Sequence, residues 1–135
     1  MTSLDVAEQF VAAINAHDVE RLASLMTADH RFIDSLGTMA KGRDVMREGW
    51  KFYFEMVADY ALEISGFFAA KDGENEILLV GVASGSYWSN GEKQPNSSWR
   101  TPAALRAVVS EGQVAEWQVY ADNEPLREQM RAASA

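Results

Sequence analysis

Apolar residues recur at Val6, Ala7, Phe10, Val11 and Ile14, a spacing of three and four that gathers them on one stripe of a helix beginning near Leu4. Thr2 and Ser3 stand just before it, where a side-chain oxygen can accept from the first unpaired backbone N–H groups. Ala16 and His17 interrupt the stripe, and Asp18 can cap a second, short helix whose apolar side is Leu22, Leu25 and Met26. The period then changes to two. His30, Phe32 and Asp34 alternate with Arg31, Ile33 and Ser35, which predicts a short strand ended by Gly37. From Gly42 the helical period returns to about Ala58, with Met46, Gly49, Trp50, Tyr53 and Val57 on one face.

Beyond Tyr60 the chain reads as strands divided by turn signals. ALEISGFFAA is followed by a turn containing Asp72-Gly73, then EILLVGVASGSYW, then a polar loop with Asn90-Gly91. SSWRTPAALRAVV and QVAEWQVYAD flank Glu111-Gly112, and Pro102 marks a point that must be unpaired, bulged or at an edge. Three helices followed by a meander predict an α+β fold, with the helices covering one face of an antiparallel sheet. No linker, repeat or low-complexity tract divides residues 1–135, so one domain is expected. A strongly curved sheet would leave a hollow under the helices, where small-molecule sites form.

Composition narrows the partners. Apolar residues make up 47% and charged residues 24% of the chain, ordinary for a globular protein. The net charge of −8 repels phosphate backbones and anionic lipid, so neither nucleic acid nor membrane is expected as a partner. There is no cysteine, which excludes disulfides, thiol nucleophiles and thiolate metal sites. The opening MTSLDVAEQF lacks a basic segment followed by an apolar run, and a cytoplasmic protein is expected. His17 and His30 lie on separate elements without metal-ligand spacing, Gly81 and Gly85 fall inside a strand, and no Gly-x-Ser-x-Gly occurs. Neither metal, nucleotide cofactor nor serine-hydrolase chemistry is expected.

The phrase AHDVERLASLMTADHRFID, the segment FIDSLGTMAKGRDVM and the terminal strand WQVYAD, in that order, resemble the cone-shaped family that includes ketosteroid isomerase, SnoaL-type polyketide cyclases and nuclear transport factor 2. The resemblance covers nearly the whole chain and implies three N-terminal helices packed on a strongly curved antiparallel sheet around an apolar pocket. In the isomerase an aspartate at the place of Asp34 moves a proton beside a carbonyl. Asp34 is therefore the candidate acid/base, with His30, two residues earlier, able to share its proton. The isomerase's tyrosine donor is replaced by Phe10, its later aspartate falls near Ala103 or Ala104, and a third pocket tyrosine falls at Trp50. The last-strand aspartate of limonene epoxide hydrolase falls at Val119. Both machineries are incomplete in this chain, whereas an acid/base of the SnoaL cyclase kind stays compatible with Asp34.

Each candidate has a structural alternative. Asp34 serves an apolar pocket or caps the turn from Ser35 to Gly37. Phe10, Phe32, Trp50, Tyr53, Trp88, Trp99 and Trp117 form a ligand wall or simply pack the core. Met39, Met46 and Met56 are adaptable filler. His17, at the helix break, is expected in solvent. Alternation puts Arg100 opposite Trp99 and turns Tyr120 and Asp122 away from Val119. With Arg106, Glu116 and Gln118, these line an outer sheet face on which the resemblance implies a homodimer. The expected function is that of a cofactor-free isomerase, cyclase or lyase using Asp34 on an apolar, carbonyl-bearing substrate. The alternative is a non-catalytic small-molecule binder or dimerising accessory domain.

Overall fold

The computed structural model describes residues 1–134. Helix α1 (Ser3–Asn15) opens with a reciprocal capping box: Thr2 accepts from the Asp5 N–H and the Asp5 carboxylate accepts from the Thr2 N–H. Asp18 caps α2 (Val19–Ser24) by accepting from Arg21 N–H. Strand β1 (Met26–Ile33), the short β2 (Met39–Lys41) and α3 (Arg43–Met56) follow, then β3 (Ala61–Ala70) and β4 (Gly73–Gly85). A small hairpin of β5 (Trp88–Ser89) and β6 (Glu92–Lys93) precedes β7 (Trp99–Ser110), β8 (Gln113–Ala121) and α4 (Glu124–Ser134).

Six strands form one sheet in the order β2-β1-β8-β7-β4-β3. The meander is antiparallel as the pattern predicts, but β1 pairs parallel with β8, with Phe32 opposite Trp117. A parallel pair needs a long crossover, and everything between β1 and β8 supplies it. Glu111 and Gly112 at the β7–β8 turn, like Asn90 and Gly91, both take positive φ, the backbone of a tight two-residue hairpin turn. Pro102 lies opposite Val82 of β4, while the β7–β8 pairing starts one residue later at Ala103. It therefore has a neighbouring strand on one side alone, the edge-like setting that a missing N–H tolerates.

Curvature has a local cause. The β3–β4 register slips between Ile64 and Gly66, and a bulge of this kind bends a strand. Gly81 permits it: a Cβ there would lie 1.9 Å from the Glu63 carbonyl oxygen.

Helix α1 packs on β3, β4, β7 and β8, and α3 packs on β1, β2 and α2. Under α1 the core is solid: Phe10 and Trp117 are fully buried, with ring centroids 4.7 Å apart. Asn15 joins α1 to β3 by two hydrogen bonds, donating from Nδ2 to Leu62 O and accepting at Oδ1 from Leu62 N–H. His17 is not solvated as its place at a helix break suggested. It stacks on Phe54 at 4.2 Å, and its Nε2 donates to Tyr60 O at 2.8 Å. Helix α4 was not foreseen, because Leu126 and Met130 are its large apolar residues and two positions carry little periodicity. Leu126 is buried against the core.

Candidate functional site

Between α3 and the sheet the packing is incomplete, leaving a cavity of about 140 Å³. Helix α3 forms its roof with Met46, Gly49, Trp50 and Tyr53. The floor is the concave sheet: Phe32 of β1, Ala83 of β4, Ala103 and Leu105 of β7, Val119 and Ala121 of β8. Two adjacent cross-strand pairs, Leu105 with Val119 and Ala103 with Ala121, make its centre. Tyr60 and Asn123 complete the wall. The space exists because small residues occupy inward positions where larger ones would meet α3. Its volume is close to the ~150 Å³ void that accepts benzene in a protein core, so it suits a molecule of about one ring.

The aromatic side chains of this wall meet edge to face in sequence. Phe32 and Trp50 are 6.0 Å apart at 82°, Trp50 and Tyr53 6.1 Å apart at 87°, and Tyr53 and Tyr60 5.0 Å apart at 85°. This arrangement sets the positive edge of one ring against the negative face of the next. Burial pushes the Tyr53 phenol well above its ordinary range, with Tyr60 beside it adding to the effect, and burial also raises Tyr60. Both therefore remain neutral O–H donors near pH 7. Neither hydroxyl has a hydrogen-bond partner among the described residues, and the Trp50 indole N–H is buried without one. The two phenols are the only ionisable groups among the lining residues. Asn123 adds an amide whose Nδ2 donates to Ser35 Oγ at 3.2 Å.

The residues singled out from sequence divide into those at the cavity and those elsewhere. Phe32, Trp50 and Tyr53 line it. Asp34 does not: it follows the end of β1, and its Oδ1 accepts from Leu36 N–H and Thr38 N–H, both at 2.9 Å. The turn-capping alternative thus describes its contacts. His30 is fully buried, and Nδ1 donates to Val114 O at 2.7 Å, which places the proton of the neutral ring on Nδ1. Its Nε2 is enclosed, without a partner among the described residues, and His30 is not part of the cavity wall. Burial pulls its pKa below the ordinary value.

Phe10 and Trp117 fill the core under α1, where the first helix closes the hollow. Trp88, on the β5–β6 hairpin, donates from Nε1 to Asp59 Oδ1 at 3.1 Å and faces that loop instead of the cavity. Trp99 stands behind Tyr60 with ring centroids 6.1 Å apart. It supports the wall and does not line it. Tyr60 is the main residue that sequence reading missed. It falls in the connection after α3 and belongs to no periodic stripe; His17 and the Asn15–Leu62 clamp, both from distant sequence, hold the segment in place.

Residues 7–117 match the SnoaL-like domain family. The chain is a member of this SnoaL-like family. Solved structures agree on the fold. A candidate SnoaL-like polyketide cyclase from Shewanella denitrificans superimposes with a TM-score of 0.78 at 15% identity, covering 96% of this chain and 97% of that one. An NTF2-like protein from Cytophaga hutchinsonii gives 0.68 at 15% identity, covering 94% and 96%. A protein with a ketosteroid isomerase-like fold from Catenulispora acidiphila, solved with trimethylamine, gives 0.71 at 17% identity, covering 85% and 83%. No curated protein matches the chain in sequence. The expected helices on a curled sheet are thus the fold shared with these NTF2-like and ketosteroid isomerase-like structures. Among the described residues no helix is long and apolar enough to cross a membrane, and no cluster of three or more His, Cys, Asp or Glu is placed to hold a metal ion.

Proposed function

We propose that this SnoaL-like protein binds a small, uncharged, mostly apolar molecule of about one ring between α3 and the sheet. The observation that carries the reading is the wall itself: an apolar floor, an aromatic roof and two reachable phenol hydroxyls, with no group among the described residues that would be charged at neutral pH. A charged ligand would lose its hydration there without a counter-ion. The Catenulispora protein, solved with trimethylamine, supports small-molecule binding by this fold.

Binding is better supported than proton transfer. Asp34 caps its turn, and the free nitrogen of His30 is enclosed. The non-catalytic alternative to a SnoaL-type isomerase, cyclase or lyase is therefore the one that the arrangement of groups favours. Calorimetric titration with single-ring ketones and phenols tests it. Saturable binding by wild type, lost in the cavity-filling Ala103→Leu, is the expected result; equal binding by the two would place the ligand elsewhere and end this reading.

A homodimer through the outer sheet face is a second proposal. Phe68, Leu78 and Tyr120 are 55%, 41% and 50% exposed there, beside Arg106, which pairs with both Glu76 and Glu116. An apolar patch rimmed by ordered charge is typical of an interaction surface. Light scattering at micromolar concentration should give twice the chain mass, and Leu78→Glu should halve it. A monomeric wild type would end the proposal.

A further inference from the structure

The most informative polar groups in the cavity are the two phenols, and they arrive there from different parts of the fold. Tyr53 is on the last turn of α3. Tyr60 ends the following connection, its N–H donating to Val57 O and its carbonyl accepting from His17. Their rings meet edge to face at 5.0 Å, so the two side chains share one corner of the wall. Tyr60 is buried and Tyr53 half-buried, neither hydroxyl is bonded among the described residues, and neither oxygen is among the fully enclosed unpartnered atoms. The hydroxyls of two cavity-lining side chains that are reachable yet unbonded stand ready for a ligand atom. A reachable donor of this kind can exchange a water for the acceptor atom of a ligand.

We infer that Tyr53 and Tyr60 form a paired phenol site for the acceptor oxygen of the ligand, which is then a small ring compound bearing a carbonyl or comparable oxygen. The inference rests on the pocket reading above and assigns its polar end. Three features choose an oxygen acceptor over a small ammonium ion. Tyr53 and Tyr60, whose rings meet in one corner of the wall, bring two O–H donors to it. Among the described residues no carboxylate lines the cavity to balance a cation. The edge-to-face sequence of the rings also differs from a cage that presents several ring faces to one cation. Burial keeps both phenols protonated, so they can donate together. With no lining base, the pair binds and polarises the ligand without abstracting its proton.

The test uses acetophenone and α-methylstyrene, molecules of nearly one shape in which a methylene replaces the carbonyl oxygen. Titration of the wild-type protein should show acetophenone binding about tenfold more tightly, the size expected of one to two hydrogen bonds. The carbonyl stretch of bound acetophenone should fall below its value in hydrocarbon solvent. Tyr53→Phe and Tyr60→Phe keep the rings and their packing; each should remove part of the preference and of the infrared shift, and the double variant nearly all of both. Equal affinity for the two compounds, or an unshifted stretch, overturns the phenol site while leaving the pocket. Binding of neither compound by wild type overturns both readings, and tighter binding of tetramethylammonium than of acetophenone replaces the phenol site with a cation cage.

Discussion

Ala103 and Ala121 stand directly opposite each other on β7 and β8, and both face the cavity. One cross-strand pair of alanines thus removes the side-chain volume that would otherwise bring the floor into contact with α3. The neighbouring pair, Leu105 and Val119, continues the same floor.

Filling this gap should trade binding for stability. Ala103→Val places two more carbons in the void and should raise stability by up to ~1.5 kcal/mol, at ~0.8 kcal/mol for each buried methylene-sized group. Affinity for single-ring ligands should fall at least severalfold. Urea unfolding and calorimetric titration of the same samples check both halves; unchanged affinity would show that the space at Ala103 is not where ligands sit.

Asp34 offers a direct contrast between turn cap and acid/base. Asp34→Ala loses the acceptor for both Leu36 N–H and Thr38 N–H and should lower stability by ~1 kcal/mol. Asp34→Asn keeps an acceptor oxygen and should be close to wild type in stability and in ligand affinity. Chemical denaturation and titration decide the matter, and an activity present in wild type but abolished in the asparagine variant would restore the catalytic role.

Protonation of His30 should weaken the fold in mild acid. Burial is the main cause of its lowered pKa; Arg31 lowers it further, while the bond to Val114 O and the charges of Glu116 and Asp29 act the other way. In the unfolded chain the ring titrates near ~6.5. As pH falls below that value the unfolded state takes up a proton that the folded state resists, so stability present at pH 7 and above declines with acidification. The decline approaches ~1.4 kcal/mol per pH unit until the folded ring also protonates. Urea midpoints from neutral to mildly acidic pH should show this slope, and His30→Gln should flatten it.

Trp117 is a core residue by its contacts, so truncation should act on folding. Trp117→Ala should cost ~3–5 kcal/mol, as for other large-to-small changes of buried aromatics. Thermal unfolding measures it. A loss below ~1 kcal/mol would mean that the packing against Phe10 contributes little.

Much of the architecture is legible as a one-dimensional pattern. The stripe from Val6 to Ile14, the alternation in ALEISGFFAA and the turn pairs Asn90-Gly91 and Glu111-Gly112 each determine local structure, because helix and strand periods and positive-φ turns are properties of neighbouring residues. The face of α3 carrying Met46, Trp50 and Tyr53 is legible for the same reason, and it supplies the roof of the cavity. Helix α4 escapes this reading, since two apolar positions do not define a period.

Which aromatic residues reach the cavity was decided in three dimensions. Trp50 and Trp117 are equally apolar in sequence, yet α1 packs over Trp117 and leaves space beside Trp50. Asp34 lies one residue past the end of β1, where chain reversal turns its carboxylate toward the turn N–H groups. The composition and periodicity of the chain determined that helices would cover one face of a sheet and that no cysteine chemistry was open to it, while the strong curvature was what the family resemblance implied. The parallel β1–β8 pairing, the alanine floor and the meeting of Tyr53 with Tyr60 were decided by tertiary packing alone, because each joins residues whose proximity depends on the curvature of the whole sheet and on clamps such as Asn15 to Leu62.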